Sequence, residues 1–269
     1  MLPVADKLAK IPYWLLVIIL LGLFVVWTII NNGDYRVIIK ATSKGIITTI
    51  YVSFTAYLIA TLSGLVWGLM RVSTIRVLRE ISTVYVEIIR GIPMLVILYY
   101  IAFVGAPALV VFINWLIFPL TKTGIIGRLS VRDVGFVWRA ILALTIGYSA
   151  FISEIFRAGI ESVDKGQMEA ALALGMSRAT AMRIIILPQA IRNVLPALAN
   201  EFIAIIKDSA LVSALGVQDI TQLGKVYSAS TFRFFETYNI VAFLYLIMTV
   251  TLSIFIRSLE RRLEKHKRE

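Results

Sequence analysis

Residues 166–177 read GQMEAALALGMS, and long apolar segments flank them on both sides. Residues 167–174 can form two turns of helix, because nearly all of them are strong helix formers. Glu169 would lie in the first turn, where a carboxylate suits the positive end of the helix dipole. Gly175 can adopt the left-handed conformation that closes a helix, and Ser177 can cap the helix that follows. The stretch therefore predicts a short helix with fixed ends between two longer helices.

The sequence around this stretch is unusually apolar. The 269 residues are 59% hydrophobic, with a mean hydropathy of +0.86, whereas soluble domains are nearer half apolar. About 20 helical residues cover the ~30 Å hydrocarbon layer of a bilayer. We predict an all-α polytopic membrane protein. Its six expected transmembrane helices lie at about 12–30, 46–70, 84–105, 136–156, 190–214 and 238–256.

The distribution of basic residues predicts the orientation of these spans. With both termini in the cytoplasm, the inner segments hold 16 Lys and Arg residues and the outer segments hold 9. Cytoplasmic loops carry such an excess, so the net charge of +11 needs no nucleic acid partner. We expect a multi-pass membrane protein with both termini in the cytoplasm and a charged tail at 257–269 near anionic membrane lipid.

Several kinds of chemistry are excluded by composition. The chain has no cysteine, and its one histidine, His266, lies in the charged tail, so we predict no thiolate or histidine metal site. No G-x4-G-K-[ST] phosphate loop is present, because the only Gly-Lys pair is followed by valine. We therefore expect this chain to bind no ATP through such a loop and to hold no cofactor of its own.

Two further segments interrupt the regular pattern. The apolar part of residues 106–132 is only about a dozen residues long before Pro119. Since this is short for a span, we expect a re-entrant or interfacial insertion on the outer side. Gly91 and Pro93 should bend the chain, and Arg90 could extend toward the interface or bond carbonyls that the bend sets free.

The short helix belongs to a longer pattern, E-A-A-x3-G-x9-I-x-L-P, formed by Glu169, Ala170, Ala171, Gly175, Ile185, Leu187 and Pro188. Pro188 should kink or end the helix that contains it. The pattern resembles the signature loop of the inner-membrane permease subunits of binding-protein-dependent ABC importers. The blocks YVEIIRGIPMLV, EIFRAGIESVDKGQMEAALALGMS, ILPQAIRNVLPAL and NEFIAIIKDSALVSALGV resemble the polar amino acid branch of that family.

The resemblance covers about residues 45–262 and implies a division of the chain. Residues 45–262 would be a five-helix permease core, and residues 1–44 an extra transmembrane helix with an outer loop. The cytoplasmic loop at about 161–188 would couple the core to an ATPase. The residues that this implies at the ATPase contact are Glu169, Ala170, Ala171, Leu174 and Gly175.

The resemblance also implies partners and a mechanism. They are two ABC ATPase subunits that bind ATP and Mg²⁺, a second permease subunit (the same or a homologous chain) and a periplasmic or lipid-anchored amino acid-binding protein. The chain would be a non-catalytic subunit that forms half of a pore in a bacterial cytoplasmic membrane, and this pore would alternate its access as the ATPases open and close. The alternative is an ion-coupled secondary amino acid transporter, which would need intramembrane ion sites and often an internal repeat. No convincing repeat is present.

Charged residues inside spans indicate a substrate path, because each costs ~2.5–3.5 kcal/mol on insertion scales. An amino acid zwitterion needs a donor for its carboxylate and an acceptor for its ammonium group. The candidates are Tyr148, Glu154, Asn200, Lys207 and Asp208. In the alternative interpretation, Lys207 and Asp208 fix helix ends and Glu154 pairs with Arg157.

Overall fold

Helices joined by short turns form all the regular structure in the computed structural model, which describes residues 13–123 and 126–265. The predicted start of the first span at residue 12, and the end of the tail with His266, lie outside these residues. The helices are α1 (Tyr13–Asn31), α2 (Gly33–Thr42), α3 (Gly45–Arg71), α4 (Arg76–Gly91), α5 (Met94–Tyr100), α6 (Ala106–Leu116), α7 (Phe118–Lys122), α8 (Phe136–Glu161), α9 (Lys165–Ala173), α10 (Arg178–Ala181), α11 (Leu187–Asp208), α12 (Ile220–Thr231) and α13 (Phe234–Lys265).

Four helices among the described residues are long and apolar enough to cross a membrane: Gly33–Arg71, Met94–Leu116, Phe136–Glu161 and Phe234–Ser258. The apolar helix Leu16–Asn31 is shorter. The fifth predicted span, 190–214, is the helix α11 with a 3₁₀ turn after it, and it carries Arg192, Glu201, Lys207 and Asp208. The chain is thus an all-α polytopic membrane protein, and among the described residues the predicted spans are helical apart from the break at Ile92 and Pro93 in the third.

The third span begins and ends later than the sequence predicts. α4 ends at Gly91, Ile92 is extended (φ −105°, ψ 133°), and α5 starts at Met94. α5 continues through a π turn into α6, so Met94–Leu116 is one apolar segment of 23 residues. The predicted boundary at residue 105 is therefore wrong. The first part of the segment at 106–132 completes a span, and only the residues after Leu116 lie beyond it.

Two π turns occur at equivalent distances before prolines. In the first, Ile101–Gly105, the N–H of Ala106 donates to Ile101 O, and Pro107 follows. In the second, Met182–Ile186, the N–H of Leu187 donates to Met182 O, and Pro188 follows. Proline lacks an N–H and crowds the carbonyl four residues earlier, and a π turn accommodates both effects within a continuous helix. The predicted kink or helix end at Pro188 takes this form.

The chain divides into two compact units, and the first comprises the described residues up to 48 together with residues 218–250. Its core is formed by Tyr35, Ile38, Ile220, Ile240, Val241 and Leu244. Asp219 caps α12, because its carboxylate accepts hydrogen bonds from the N–H groups of Thr221 (3.2 Å) and Gln222 (2.8 Å) and from the Tyr245 hydroxyl (3.1 Å). Burial raises the pKa of the Asp219 carboxyl.

The second unit comprises residues 49–217 and 251–265, and α8 is its central helix. Nearly all of α8 from Arg139 to Ser153 is buried against its neighbours. Two glycines of α3 permit close approach to α8. A Cβ at Gly64 would lie 2.7 Å from the Ile152 side chain, and one at Gly68 would lie 2.8 Å from Phe156 Cβ. Small residues at such contacts are typical of helix packing in lipid.

Candidate functional site

The short helix predicted from the sequence is present as α9, but it begins earlier than expected. Its N-cap is Asp164, whose Oδ1 accepts a hydrogen bond from Gly166 N at 2.7 Å. Because the helix starts at Lys165, Glu169 lies in its second turn. The prediction that Glu169 occupies the first turn is wrong, and Asp164 is the carboxylate at the positive end of the helix dipole.

The other end of α9 is closed as predicted. Gly175 has φ +82°, its N–H donates to Leu172 O (3.0 Å), and Met176 N–H donates to Ala171 O (3.1 Å). These two bonds form the Schellman motif, which requires a left-handed residue. Ser177 then caps α10, since its Oγ accepts from Thr180 N at 3.2 Å. Both ends of the short helix are therefore fixed by hydrogen bonds.

One face of α9 packs on the rest of the second unit, and the other face, called the open face below, is exposed. Ala171 is buried, and Met168 packs on the apolar cluster of Ile160, Val163, Ile186 and Ala190. Glu169, Ala170, Leu172 and Ala173 are exposed, and Leu174 is 82% exposed. The open face combines small side chains, a carboxylate and a protruding leucine, which suits close contact with another protein.

The long helices on either side of α9 are packed directly on each other. Gly159 of α8 leaves no space for a side chain, because Val194 of α11 occupies the place of a Cβ. Asn193 Nδ2 donates to Ser162 Oγ at 3.1 Å. The segment from α9 to the second π turn thus connects two long helices that contact each other.

An ion-pair network lies at the α9 end of α8. Arg71 Nη1 is 2.5 Å from Glu154 Oε2, and Arg71 Nη2 is 3.9 Å from Glu87 Oε1. Glu154 also binds Arg157, and Arg157 Nη1 is 2.5 Å from Glu161. The side chain of Arg71 is only 12% exposed. The network joins α3, α4 and α8, and it includes the Glu154–Arg157 pair of the alternative interpretation.

The structure brings together two of the five substrate-path candidates. Tyr148 OH donates to Asp208 Oδ2 at 2.9 Å. Lys207 is exposed. Asn200 lines a cavity of about 230 Å³ with Ile203, Ser253, Ile256 and Arg257. Glu154 is bound in the ion-pair network and Tyr148 is bound to Asp208, so the five candidates do not form one cluster.

The bend predicted at Gly91 and Pro93 lies between α4 and α5. Gly91 is the last residue of α4, and Pro93 is the N-cap of α5. The Arg90 guanidinium lies over the Phe151 ring, 5.8 Å from its centre. This cation–π contact is the arrangement found for Arg90, rather than a bond to freed carbonyls.

Sequence reasoning missed Arg139, which is 8% exposed. Its guanidinium donates to Val134 O (2.7 Å), Val131 O (2.5 Å) and Ala102 O (3.1 Å), and it lies 4.9 Å from the centre of the Phe136 ring. The sequence feature that could have identified Arg139 is the position of its charge inside the predicted span 136–156. Glu201, half-buried in α11, is a further charge inside the predicted span 190–214.

A family comparison agrees with the architecture and the loop. The family described as "Binding-protein-dependent transport system inner membrane component" matches residues 60–269. The matched range contains α9, the ion-pair network, Tyr148 and Asp208. It also contains Arg139 and both π turns.

Individual relatives and solved structures are similar to the chain over most of its length. A probable amino-acid permease of Bacillus subtilis, YxeN, is 35% identical over 87% of this chain and 98% of its own. A probable glutamine ABC transporter permease of Bacillus subtilis, GlnM, is 40% identical over 75% of this chain and 83% of its own. A crystal structure described as an amino acid ABC transporter with histidines is 39% identical, with a TM-score of 0.67 over 83% of this chain and 94% of that one.

Proposed function

The chain belongs to the binding-protein-dependent transport system inner membrane component family, and we propose that it is the pore-forming permease subunit of an ATP-driven importer for a polar amino acid. The amino acid and glutamine permeases among its relatives support this cargo class. Family membership favours the importer over the ion-coupled secondary transporter.

Partners supply the parts of the machine that this chain lacks. Two ATPase subunits bind and hydrolyse ATP with Mg²⁺, and a periplasmic or lipid-anchored binding protein delivers the amino acid. A second permease subunit, the same or a homologous chain, completes the pore. The assembly lies in a bacterial cytoplasmic membrane, with both termini and α9 in the cytoplasm.

The geometry of α9 is the observation that carries the coupling role. The open face with Glu169, Ala170 and Leu174 contacts the ATPase subunit. The buried Ala171 and the caps at Asp164 and Gly175 hold the helix against the body of the permease. A helix fixed at both ends transmits displacement instead of absorbing it. Movement of the ATPase therefore reaches α8 and α11, which open and close the path.

Within the path, the Tyr148–Asp208 pair is the proposed substrate contact. The carboxylate of Asp208 can accept a hydrogen bond from the ammonium group of an amino acid, and the Tyr148 hydroxyl orients that carboxylate. Lys207, the next residue to Asp208, is exposed and can attract the substrate carboxylate. Asn200 and Glu154 lie along the same two helices toward α9.

The coupling role is tested by substituting Gly175 and, as a matched control, Gly216. Both have a positive φ (+82° and +77°), and neither would bring a Cβ within 4 Å of another group. Gly→Ala therefore imposes a similar backbone strain of about 1–2 kcal/mol at either site. The chain is reconstituted with its ATPase and binding protein in proteoliposomes, and uptake is measured per ATP hydrolysed.

We expect Gly175→Ala to lower uptake per ATP and Gly175→Pro to abolish the coupling, because proline cannot adopt φ +82°. Gly216→Ala should keep the wild-type ratio. Co-purification of the ATPase in detergent should weaken only in the Gly175 variants. Coupled uptake that survives Gly175→Pro would contradict the assignment of α9, and uptake without any ATPase would contradict the importer itself.

A further inference from the structure

Residues 126–135 form an ordered cap on the second unit, at the end opposite α9. The cap leads directly into Phe136, the first residue of α8, whereas α9 follows the last residue of α8, Glu161. Asn114 of α6 binds the cap from the side. Asn114 Nδ2 donates to Leu129 O at 2.8 Å, and Leu129 N donates to Asn114 Oδ1 at 2.9 Å.

The Asp133 carboxylate also accepts a hydrogen bond from within the cap. Ser130 and Asp133 form a capping box, in which Ser130 N donates to Asp133 Oδ2 at 2.7 Å. The buried guanidinium of Arg139, in α8, donates hydrogen bonds to the backbone carbonyls of Val131 and Val134. Asp133 is therefore engaged in holding the backbone of the cap.

Three cations of this region remain on the surface: Lys122, Arg128 and Arg132 are all exposed. None of them takes part in an ion pair within residues 13–123 and 126–265. All three follow the end of the apolar segment Met94–Leu116. Trp115 (70% exposed) and Phe118 (50% exposed) lie at that end. Tryptophan is enriched at the membrane–water interface, so Trp115 indicates that this end of the span lies there.

We infer that Lys122, at the end of α7, and Arg128 and Arg132, in the cap, bind the phosphates of anionic phospholipid headgroups. Lys122 lies soon after the span, and Asn114 binds the cap that carries Arg128 and Arg132 at the same end of the span. The three cations therefore lie near the depth of the headgroups, and their charge is complementary to phosphate. The aromatic side chains beside them pack on the upper acyl chains. Hydrogen bonds hold the backbone of the cap in place, so little backbone mobility is lost when lipid binds.

The probe for this site is Trp115, whose fluorescence is quenched by brominated acyl chains in contact with it. The full chain is prepared with Trp14, Trp27, Trp67 and Trp138 replaced by Phe. It is reconstituted into vesicles of equal phosphatidylcholine and phosphatidylglycerol, with bromine on one lipid or on the other. The ratio of the two quenching efficiencies reports enrichment of phosphatidylglycerol beside the cap.

We expect stronger quenching from brominated phosphatidylglycerol in the wild-type cap. The triple substitution K122Q/R128Q/R132Q should abolish this preference, with a loss of up to about fivefold per cation. The triple substitution R79Q/R178Q/R183Q is the matched control, because it removes the same charge from exposed positions near the α9 end. It should keep the preference. Quenching in vesicles with bromine on both lipids should be equal in all three proteins if the cap stays in place, because it does not depend on which lipid lies beside Trp115.

Equal quenching by the two lipids in the wild-type protein would overturn the inference. It would favour an acidic protein surface, instead of lipid, as the partner of these cations. A preference that survives K122Q/R128Q/R132Q would overturn it as well. The measurement requires neither ATPase nor transport. Its outcome is therefore independent of the proposed importer function.

Discussion

Arg139 Nη1 donates a hydrogen bond to the carbonyl oxygen of Ala102 at 3.1 Å. Ala102 lies in the first π turn, where Ala106 N donates to Ile101 O instead. Its next possible donor along the helix would be residue 107, which is a proline. The guanidinium therefore supplies a hydrogen bond that the helix cannot make for itself. Pro107 creates the need, and Arg139, 37 residues away, meets it.

Replacing Arg139 should destabilise the protein markedly. Arg139→Gln removes a buried group that binds three carbonyls, and hydrogen bonds to charged groups contribute about 1.5–3 kcal/mol each. Arg139→Lys should be nearly as harmful, because one ammonium group cannot bind in three fixed directions. Thermal unfolding in detergent measures the loss. Arg79→Gln, at an exposed position of α4, should change the melting temperature little, and equal melting of all variants would disprove the role of Arg139.

The Tyr148–Asp208 pair should control substrate affinity. Asp208→Ala is expected to raise the KM for uptake by about 10- to 100-fold, the equivalent of losing one charged hydrogen bond. Basal ATPase activity should be unchanged. Tyr148→Phe should have a smaller effect in the same direction, because it only releases the carboxylate. Tyr85→Phe is the control, since that hydroxyl bonds Ser149 and Ile146 O rather than Asp208. Lost uptake with unchanged substrate affinity would refute the contact role and favour gating.

The Arg71–Glu154 contact should have a measurable coupling energy. Its side chains are only 12% and 26% exposed, so water screens the pair weakly. A double-mutant cycle with Arg71→Met and Glu154→Gln should give about 1–2 kcal/mol. The same cycle on Arg76–Glu80, whose side chains are 85% and 60% exposed at 4.0 Å, should give at most about 0.5 kcal/mol. Similar values for both pairs would show that burial does not strengthen the Arg71–Glu154 contact.

Asp219 should make the stability of the first unit depend on pH. Burial raises its pKa in the folded state above the unfolded value of about 3.9. As the pH falls from the folded-state pKa toward the unfolded-state pKa, the folded state binds the proton first. The free energy of unfolding therefore rises. Asp219→Asn keeps an N-cap residue but cannot titrate. The melting temperature of the wild type minus that of Asp219→Asn should therefore be higher at mildly acidic pH than at neutral pH. A difference that does not change with pH would contradict the raised pKa.

The local features of this fold could be predicted from the sequence. Apolar blocks of span length predict helices, because burial in lipid requires only length and composition. The break between Gly91 and Pro93 and the left-handed turn at Gly175 follow from the conformational limits of single residues. The start of α9 was missed, although Asp164 is a typical N-cap residue. Gly166 is a poor helix former in the first turn, so the residue pattern favoured a later start of the helix.

The contacts between distant segments could not be predicted in this way. Nothing near Arg139 in the sequence indicates that it binds Ala102, and nothing near Arg71 indicates Glu154. Such pairs depend on how the helices pack, whereas the sequence gives only the sign of each charge and not its partner. For the same reason five polar candidates were proposed for one path, whereas only Tyr148 and Asp208 bond to each other.

The two π turns have a consequence for how the helices face their neighbours. Each π turn accommodates about one residue more than a regular α-helix would over the same rise, and one residue corresponds to a rotation of about 100°. The side-chain pattern before Ile101 is therefore out of phase with the pattern after Gly105, and the same shift occurs across Met182–Ile186. Deleting a single residue inside either π turn would shorten the chain while leaving both flanking segments turned toward their present neighbours. Related chains can thus differ in length by one residue at these two places and still be superimposable.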